Sequence, residues 1–210
     1  NFLIYKEVSN MAFENLKQKL ESNGFTVSIF STGAQAADYL DREIDGKTVG
    51  IGGSVTIKEI GVTDRLASHN TIISHWYTDS DPDEALRQAM TTDTYLLSAN
   101  AIAEDTGEIL NIDGTGNRVA SSLFGHKKVY LVAGKNKISP NYESALFRLR
   151  NVVAPKNAQR LKRNTPCAVN ADKCYNCNSP ERICNALVVF YKKIRSMDME
   201  VILIDEELGY

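Results

Sequence analysis

Lys47-Thr48-Val49-Gly50-Ile51-Gly52-Gly53-Ser54-Val55-Thr56-Ile57-Lys58-Glu59-Ile60 reads as a short buried strand, a tight glycine turn and the start of a helix. Thr48, Val49 and Ile51 are β-branched and suit a pleated strand. Gly52 and Gly53 permit backbone angles, and a close approach of other groups, that a Cβ would block. Ser54 is a good N-cap, able to accept from the amide of Thr56 or Ile57. Free N–H groups behind glycines, at the positive end of a helix, make a ready site for an anion. The same residues also suit a plain strand–helix junction. The turn is neither a Walker loop, which ends in Gly-Lys-Ser/Thr, nor Gly-x-Gly-x-x-Gly. Gly52, Gly53, Ser54, Val55 and Thr56 form the first candidate ligand loop.

Strands and helices alternate on both sides of this unit. Upstream, Val8 to Asn23 repeats apolar residues (Met11, Leu16, Leu20) near a 3.6 period and predicts a helix closed by Gly24. Phe25 to Phe30 alternates as a strand, and Ser31 or Thr32 caps a helix through Leu40. Downstream, His69 to Ser74, Thr94 to Ala103, Lys128 to Ala133 and Glu200 to Ile204 read as strands. Glu108 to Ile112 pairs back after the turn at Asp105-Thr106-Gly107. Pro82 to Met90, Arg118 to Phe124 and Tyr142 to Asn151 read as helices. Pro155 breaks the last of these, with a further helix to Arg163. Asn164 to Pro180 is loop-like, and Ile183 to Tyr191 is apolar, a helix or buried segment. This order predicts one α/β domain over residues 1–210 with a largely parallel sheet. In such sheets ligands gather at the carboxyl ends of the strands.

Composition narrows the function. The chain has 210 residues, 43% hydrophobic and 24% charged, the balance of an ordinary globular protein. A net charge of −2 gives no argument for nucleic acid or an anionic membrane. No apolar run approaches the roughly 20 residues needed to cross a bilayer. Asn1 to Lys6 lack a signal-peptide pattern, and the expected location is cytoplasmic.

All four cysteines fall between Cys167 and Cys184. In a cytoplasmic protein such a cluster points to a metal rather than to disulfides. Cys167, Cys174, Cys177 and Cys184 could hold an iron–sulfur cluster of the 4Fe–4S kind, or a zinc ion. A zinc ribbon uses two Cys-x-x-Cys pairs, and here there is one. The expected metal segment is 164–185.

A second glycine turn, Asn111 to Arg118, packs an acid, a hydroxyl, an amide and a guanidinium together. Gly114, Thr115, Gly116, Asn117 and Arg118 join the candidate ligand residues. Arg118 could fork onto a carboxylate or phosphate. Asp113 and Glu104 are the candidate catalytic acids, though each also suits an ordinary turn. Both glycine turns follow strands and are expected to meet in one crevice, with Arg118 at its rim. His69, His75 and His126 share no ligand spacing and read as core or surface residues. Trp76 reads as packing.

Three blocks carry a family resemblance: Val49 to Thr56, Ser98 to Gly107, and Asn111 to Ala120. The chain resembles the lactate-utilisation domain family, formerly a domain of unknown function. The tail from Thr165 to Cys184 is similar to that family's cysteine-bearing subgroup. The resemblance implies a three-layer α/β/α fold like that of ribose-phosphate isomerase, the sugar-phosphate deaminases and the CoA-transferases. It also implies that both glycine loops grip phosphate, carboxylate or CoA groups. The function it implies is binding a small organic anion, with an iron–sulfur cluster, in organic-acid oxidation beside iron–sulfur electron-transfer partners. Many members read Thr-Gly-Thr after the middle strand, where this chain has Thr106-Gly107-Glu108. Two alternatives stand beside that reading. One is an isomerase or transferase acting on a phosphorylated or CoA-linked substrate, and the other is a non-catalytic assembly or sensor subunit.

Overall fold

The protein is described by a computed structural model that covers residues 13–210 apart from 78 and 80. The expected start of the first helix, Val8 to Ala12, lies outside the described residues. The helix itself, α1, covers residues 13–22, and Gly24 follows at φ +89.

Six strands form one sheet in the order β1 (Thr26–Phe30), β10 (Asp198–Ile204), β7 (Lys128–Gly134), β4 (Thr94–Ser98), β2 (Thr48–Ile51), β3 (Thr71–Ile73). Every pairing is parallel. The middle strands are buried along nearly their whole length, as a parallel sheet covered on both faces requires. Parity decides which face each residue serves. Leu96, Tyr130, Val132, Ile202 and Ile204 pack on Ala36, Ala37 and Leu40 of α2 (Gly33–Glu43), Ile57 of α3 (Val55–Glu59), and Val62 and Leu66 of α4 (Val62–Leu66). Their neighbours Tyr95, Leu97, Val129, Leu131, Val201 and Leu203 face Phe13, Leu16 and Leu20 of α1. The result is the expected three-layer α/β/α arrangement.

The expected pairing back of Glu108 to Ile112 is borne out as the antiparallel pair β5–β6, but it belongs to a second sheet that the sequence does not show. Its order is β8 (Ile138–Ser139), β5 (Ala101–Ala103), β6 (Ile109–Asp113), β9 (Ala186–Phe190). The expected single strand over 94–103 is two strands, because the chain leaves the large sheet after Ser98. The Asn100 amide donates to Asn111 Oδ1 (2.8 Å), and the Ile112 amide donates to Asn100 Oδ1 (2.9 Å). These two side chains brace the bend beside the bond from the Asn100 amide to the Leu110 carbonyl (3.2 Å). Ile102, Ile109 and Phe190 join the core of the large sheet. Ala101, Ala103 and Leu110 point the other way, onto Ala145 and Leu149.

Two segments differ from expectation. Ile183 to Tyr191 is no helix, because its alternating Leu187, Val188, Val189 and Phe190 pair antiparallel with β6 as β9. Pro155 does not stop the helix before it. α7 (Tyr142–Arg148) passes through a π-helical stretch, Leu149–Val153, into α8 (Ala154–Arg160), with Pro155 in the first turn of α8. The wider π turn shifts the bonding register, so the proline's missing N–H breaks no α-helical bond. The remaining helices are α5 (Pro82–Ala89), α6 (Asn117–Leu123) and the short α9 (Pro166–Asn170) inside the cysteine segment. No helix among the described residues is long and apolar enough to cross a membrane.

Two measurements test this packing. A Cβ added at Gly50 would lie 2.6 Å from Tyr95 Cδ2 and 2.8 Å from the Ala89 carbonyl oxygen. Gly50→Ala is therefore expected to cost about 1–3 kcal/mol in urea unfolding, the usual range for overpacking; an unchanged midpoint would refute the contact. His69 bridges Asp41 and Asp45 at 2.9 Å each, and those bonds raise its pKa above the ordinary 6.5. A raised folded pKa stabilises fully below about pH 6.5 and fades as pH rises through the raised value. Stability measured against pH should show this loss in the native chain and not in His69→Gln.

Candidate functional site

A crevice of about 430 Å³ opens at the carboxyl ends of the large sheet. The first glycine turn leaves β2 there, anchored by the Gly52 amide on the Leu96 carbonyl (3.0 Å). Ser54 Oγ donates to Ser98 Oγ at the end of β4 (3.0 Å) and accepts from the Ile57 amide (3.2 Å), capping α3. Gly53, Ser54, Val55 and Thr56 line the crevice, and Gly52 lies behind them. Each glycine makes room for a side chain. A Cβ on Gly52 would meet Arg118 Cγ at 2.8 Å, and one on Gly53 would meet the Trp76 ring at 3.0 Å.

The second turn comes from β6 in the small sheet. Gly114, Thr115, Asn117 and Arg118 line the same crevice, so the two turns meet. Gly116 sits at the start of α6 with φ +92, a region that favours glycine. Asp113 is 6% exposed, and its Oδ2 accepts from the amides of Arg118 (3.0 Å) and Val119 (3.1 Å). Its carboxylate thus satisfies the orphan amides of α6 and lies 3.8 Å from Arg118 Nε. Arg118 Nη2 also donates to the Ile112 carbonyl (2.6 Å). Asp113 acts here as a built-in anion that fixes Arg118. Glu104, the other candidate acid, is not among the lining residues; it sits in the turn after β5, its amide on the Ser139 carbonyl (2.8 Å).

Several lining residues escaped sequence reasoning. His75 and Trp76 follow β3 and face the crevice. Burial lowers the His75 pKa, helped by the charges of Arg118 and Arg160. The Arg160 guanidinium lies 5.0 Å from the Trp76 ring centroid and donates to Tyr210 Oη (2.8 Å). Lys137 follows β7 and is 2% exposed, its Nζ donating to the main-chain oxygen of Tyr210 (2.8 Å). Burial, then the nearby charges of Arg148 and Arg118, depress its pKa to about 7. His75, Trp76 and Lys137 all follow strand ends, the signal that would have found them. Arg160 comes from α8, and nothing local marks it. With Arg163 and Arg182 also lining, the cations outweigh Asp113 and Glu181. The crevice is a local positive field in a chain of net charge −2, suited to an anion.

Beside it lies a second cavity, of about 320 Å³, lined by Cys167, Cys174, Cys177 and Cys184. All four are free thiols. The Asn176 amide donates to Cys174 Sγ (3.3 Å), Arg182 Nε to Cys184 Sγ (3.2 Å), and Arg150 Nη2 lies 3.7 Å from Cys174 Sγ. Among the described residues no group of three or more His, Cys, Asp or Glu is gathered as a ready single-ion site. Ile112, Ala154 and Arg182 line both cavities. The cysteine segment is also fastened to the second glycine turn: the Asn185 amide donates to the Asp113 carbonyl (3.0 Å) and its Nδ2 to the Gly114 carbonyl (3.1 Å). A Cβ on Gly114 would meet the Ile183 carbonyl oxygen at 2.8 Å.

Asp113→Ala should cost about 1 kcal/mol, the usual loss for a removed helix cap. Asp113→Asn, which keeps an acceptor oxygen, should lose less. Chemical denaturation of both variants checks this; equal losses would mean that the negative charge, not the hydrogen bonds, matters.

Comparison with known proteins gives the lineage. No curated protein matches the sequence. A crystal structure of a DUF162 family protein from Deinococcus radiodurans superposes with a TM-score of 0.54 at 11% identity, covering 93% of this chain and 97% of that one. At that identity the likeness is one of fold. DUF162 is the former name of the LUD domain, and the LUD domain matches residues 13–204 here. With nearly the whole chain matched, the protein belongs to the LUD, or lactate-utilisation, domain family.

Proposed function

We propose that the protein binds a small organic anion in the cationic crevice and an iron–sulfur cluster in the adjoining four-cysteine cavity, and serves organic-acid oxidation of the lactate-utilisation type. The observation that carries this reading is the shared wall: Arg182 lines both cavities and donates to Cys184 Sγ while its Nη1 holds the Cys177 carbonyl (2.8 Å). A carboxylate would meet the guanidinium groups of Arg118 and Arg160, both of which line the crevice. Asp113 keeps Arg118 in place, and Trp76 and the tail around Tyr210 shield the crevice from water.

The donor set is compatible with a cluster. Four soft thiols share one cavity, and N–H groups directed at the sulfurs are among the features that tune a cluster's potential. Cys167, Cys174, Cys177 and Cys184 would be its ligands. When bound, such a group would supply one-electron transfer. The partner would be an iron–sulfur electron-transfer protein.

Two assays test the reading. Titration calorimetry with L-lactate should give saturable binding that weakens as salt rises, and Arg160→Ala should weaken it by about tenfold, the loss of one charged hydrogen bond of roughly 1.5 kcal/mol. Protein purified without oxygen should contain iron and sulfide, and Cys174→Ser should lose both. Stoichiometric zinc in place of iron, or four freely alkylated thiols in metal-free folded protein, would overturn the cluster assignment.

A further inference from the structure

Charge is unevenly divided along the chain. From Tyr142 to Asn185, α7 through the cysteine segment, eight lysines and arginines stand against three acids, a formal +5. The rest of a chain of net −2 therefore carries −7. Arg160 and Arg163 serve the anion crevice, and Arg182 lines both cavities. Arg150 and Lys173 stand exposed on the cysteine side. Arg150 lines the cysteine cavity, and its Nη2 donates to Asn176 Oδ1 (3.0 Å). Lys173 Nζ lies 5.6 Å from the Tyr175 ring centroid.

The same rim is apolar. Tyr175 and Leu187 line the cavity with the four cysteines, yet they are 40% and 43% exposed. Phe147 is 65% exposed and stands one helical turn before Arg150. Asn151 joins it to the cysteines: Nδ2 donates to the Phe147 carbonyl and Oδ1 accepts from the Cys174 amide (3.0 Å each). Leu187 belongs to β9, the edge strand of the small sheet, and edge strands are normally covered or blunted. Exposed apolar side chains gathered among charges mark an interaction surface. Two copies meeting through this face would set +5 against +5, which disfavours a second copy. The apolar centre does nothing for a phosphodiester backbone, which argues against nucleic acid. A protein with carboxylates around an apolar centre matches both features.

We propose that the rim of the cysteine cavity, formed by Phe147, Arg150, Lys173, Tyr175 and Leu187, is the docking face for an acidic one-electron carrier protein. This rests on the reading of the four cysteines as a cluster site, and it names the surface that the carrier meets and the charge it must bear. Tyr175 and Leu187 share a wall with the four thiols, so a carrier seated on them lies beside the sulfurs. The carrier accepts one electron from the reduced cluster, and no bond forms or breaks. Opposite charge speeds the encounter, and the apolar centre holds the complex once formed.

Carbodiimide cross-linking tests this on the native chain. A small acidic ferredoxin is added to anaerobically purified protein at low salt, and amide links between its carboxylates and the lysines of this chain are mapped by mass spectrometry. The expected result is a dominant link at Lys173, lost in about 1 M salt, where the screening length falls to roughly 3 Å. Titration calorimetry should give saturable binding that Lys173→Glu or Phe147→Ser weakens by about tenfold. Lys47→Glu, at the amino end of β2, should leave it unchanged. Links scattered over other lysines, or no saturable binding by protein that holds iron and sulfide, would overturn the docking face and leave the cluster reading standing. Protein without iron or sulfide would overturn the cluster reading and the electron role with it. A Lys173 link between two copies of this chain, or displacement of the ferredoxin by single-stranded DNA, would give the face to another occupant and overturn the proposal.

Discussion

Asn100 and Asn111 hold the point where the chain passes from one sheet to the other. At Ser98 the chain ends its run in the large sheet, and at Ala101 it begins in the small one. The bend keeps some main-chain bonds, from the Ala99 amide to the Val132 carbonyl (3.1 Å) and from the Asn100 amide to the Leu110 carbonyl (3.2 Å), and unpartnered buried amides beside them would be costly. The side chains of Asn100 and Asn111 brace it, each accepting from an amide at the bend. Everything later in the site depends on it. The bend aims β6 so that its glycine turn reaches the turn after β2, and it leaves β6 an edge on which β9 pairs. Through β9 the cysteine segment is brought against the crevice.

Within the crevice, charge is arranged in two tiers. Arg118 is committed to the fold through Asp113 and the Ile112 carbonyl, so its position is fixed before any ligand arrives. Arg160 is held from outside by Asn157, Tyr210 and the face of Trp76. Groups held this way need little reordering when an anion binds, and that saves the entropy that flexible side chains lose. Lys137 is different, since its burial works against charge. Burial and the neighbouring charges of Arg148 and Arg118 lower its pKa.

The cysteine segment has few large apolar residues of its own, and it orders itself by attachment instead. Arg182 crosses it from Cys177 to Cys184, and Asn185 ties it to the second glycine turn. One guanidinium thereby borders both cavities. In a partly desolvated wall charges are felt more strongly than in water, and Arg182 is the charged side chain that lines both spaces.

The alternation of periods along the chain was enough to read the parallel sheet, most helices and the caps at Ser54 and Thr32, because these depend on neighbours a few residues away. Both glycine turns were visible for the same reason, and the strand rule indicated that they would meet. The Thr94–Ala103 stretch hid its break, since an apolar run reads the same whether it stays in one sheet or changes sheets. The apolar run of Ile183 to Tyr191 leaves helix and buried segment open, and Pro155 reads as a helix break, because pairing with β6 and a π-helical turn are set by non-local geometry. Trp76 and Lys137 carry no motif, and only the fold shows that they border a common space with Arg118. The sequence by itself determined the elements and their order, since local propensity and hydrophobic period act within a few residues. Tertiary structure alone decided which charges share the crevice and what lies beside the cysteines, because burial and electrostatic neighbourhood are set by residues brought together from across the chain.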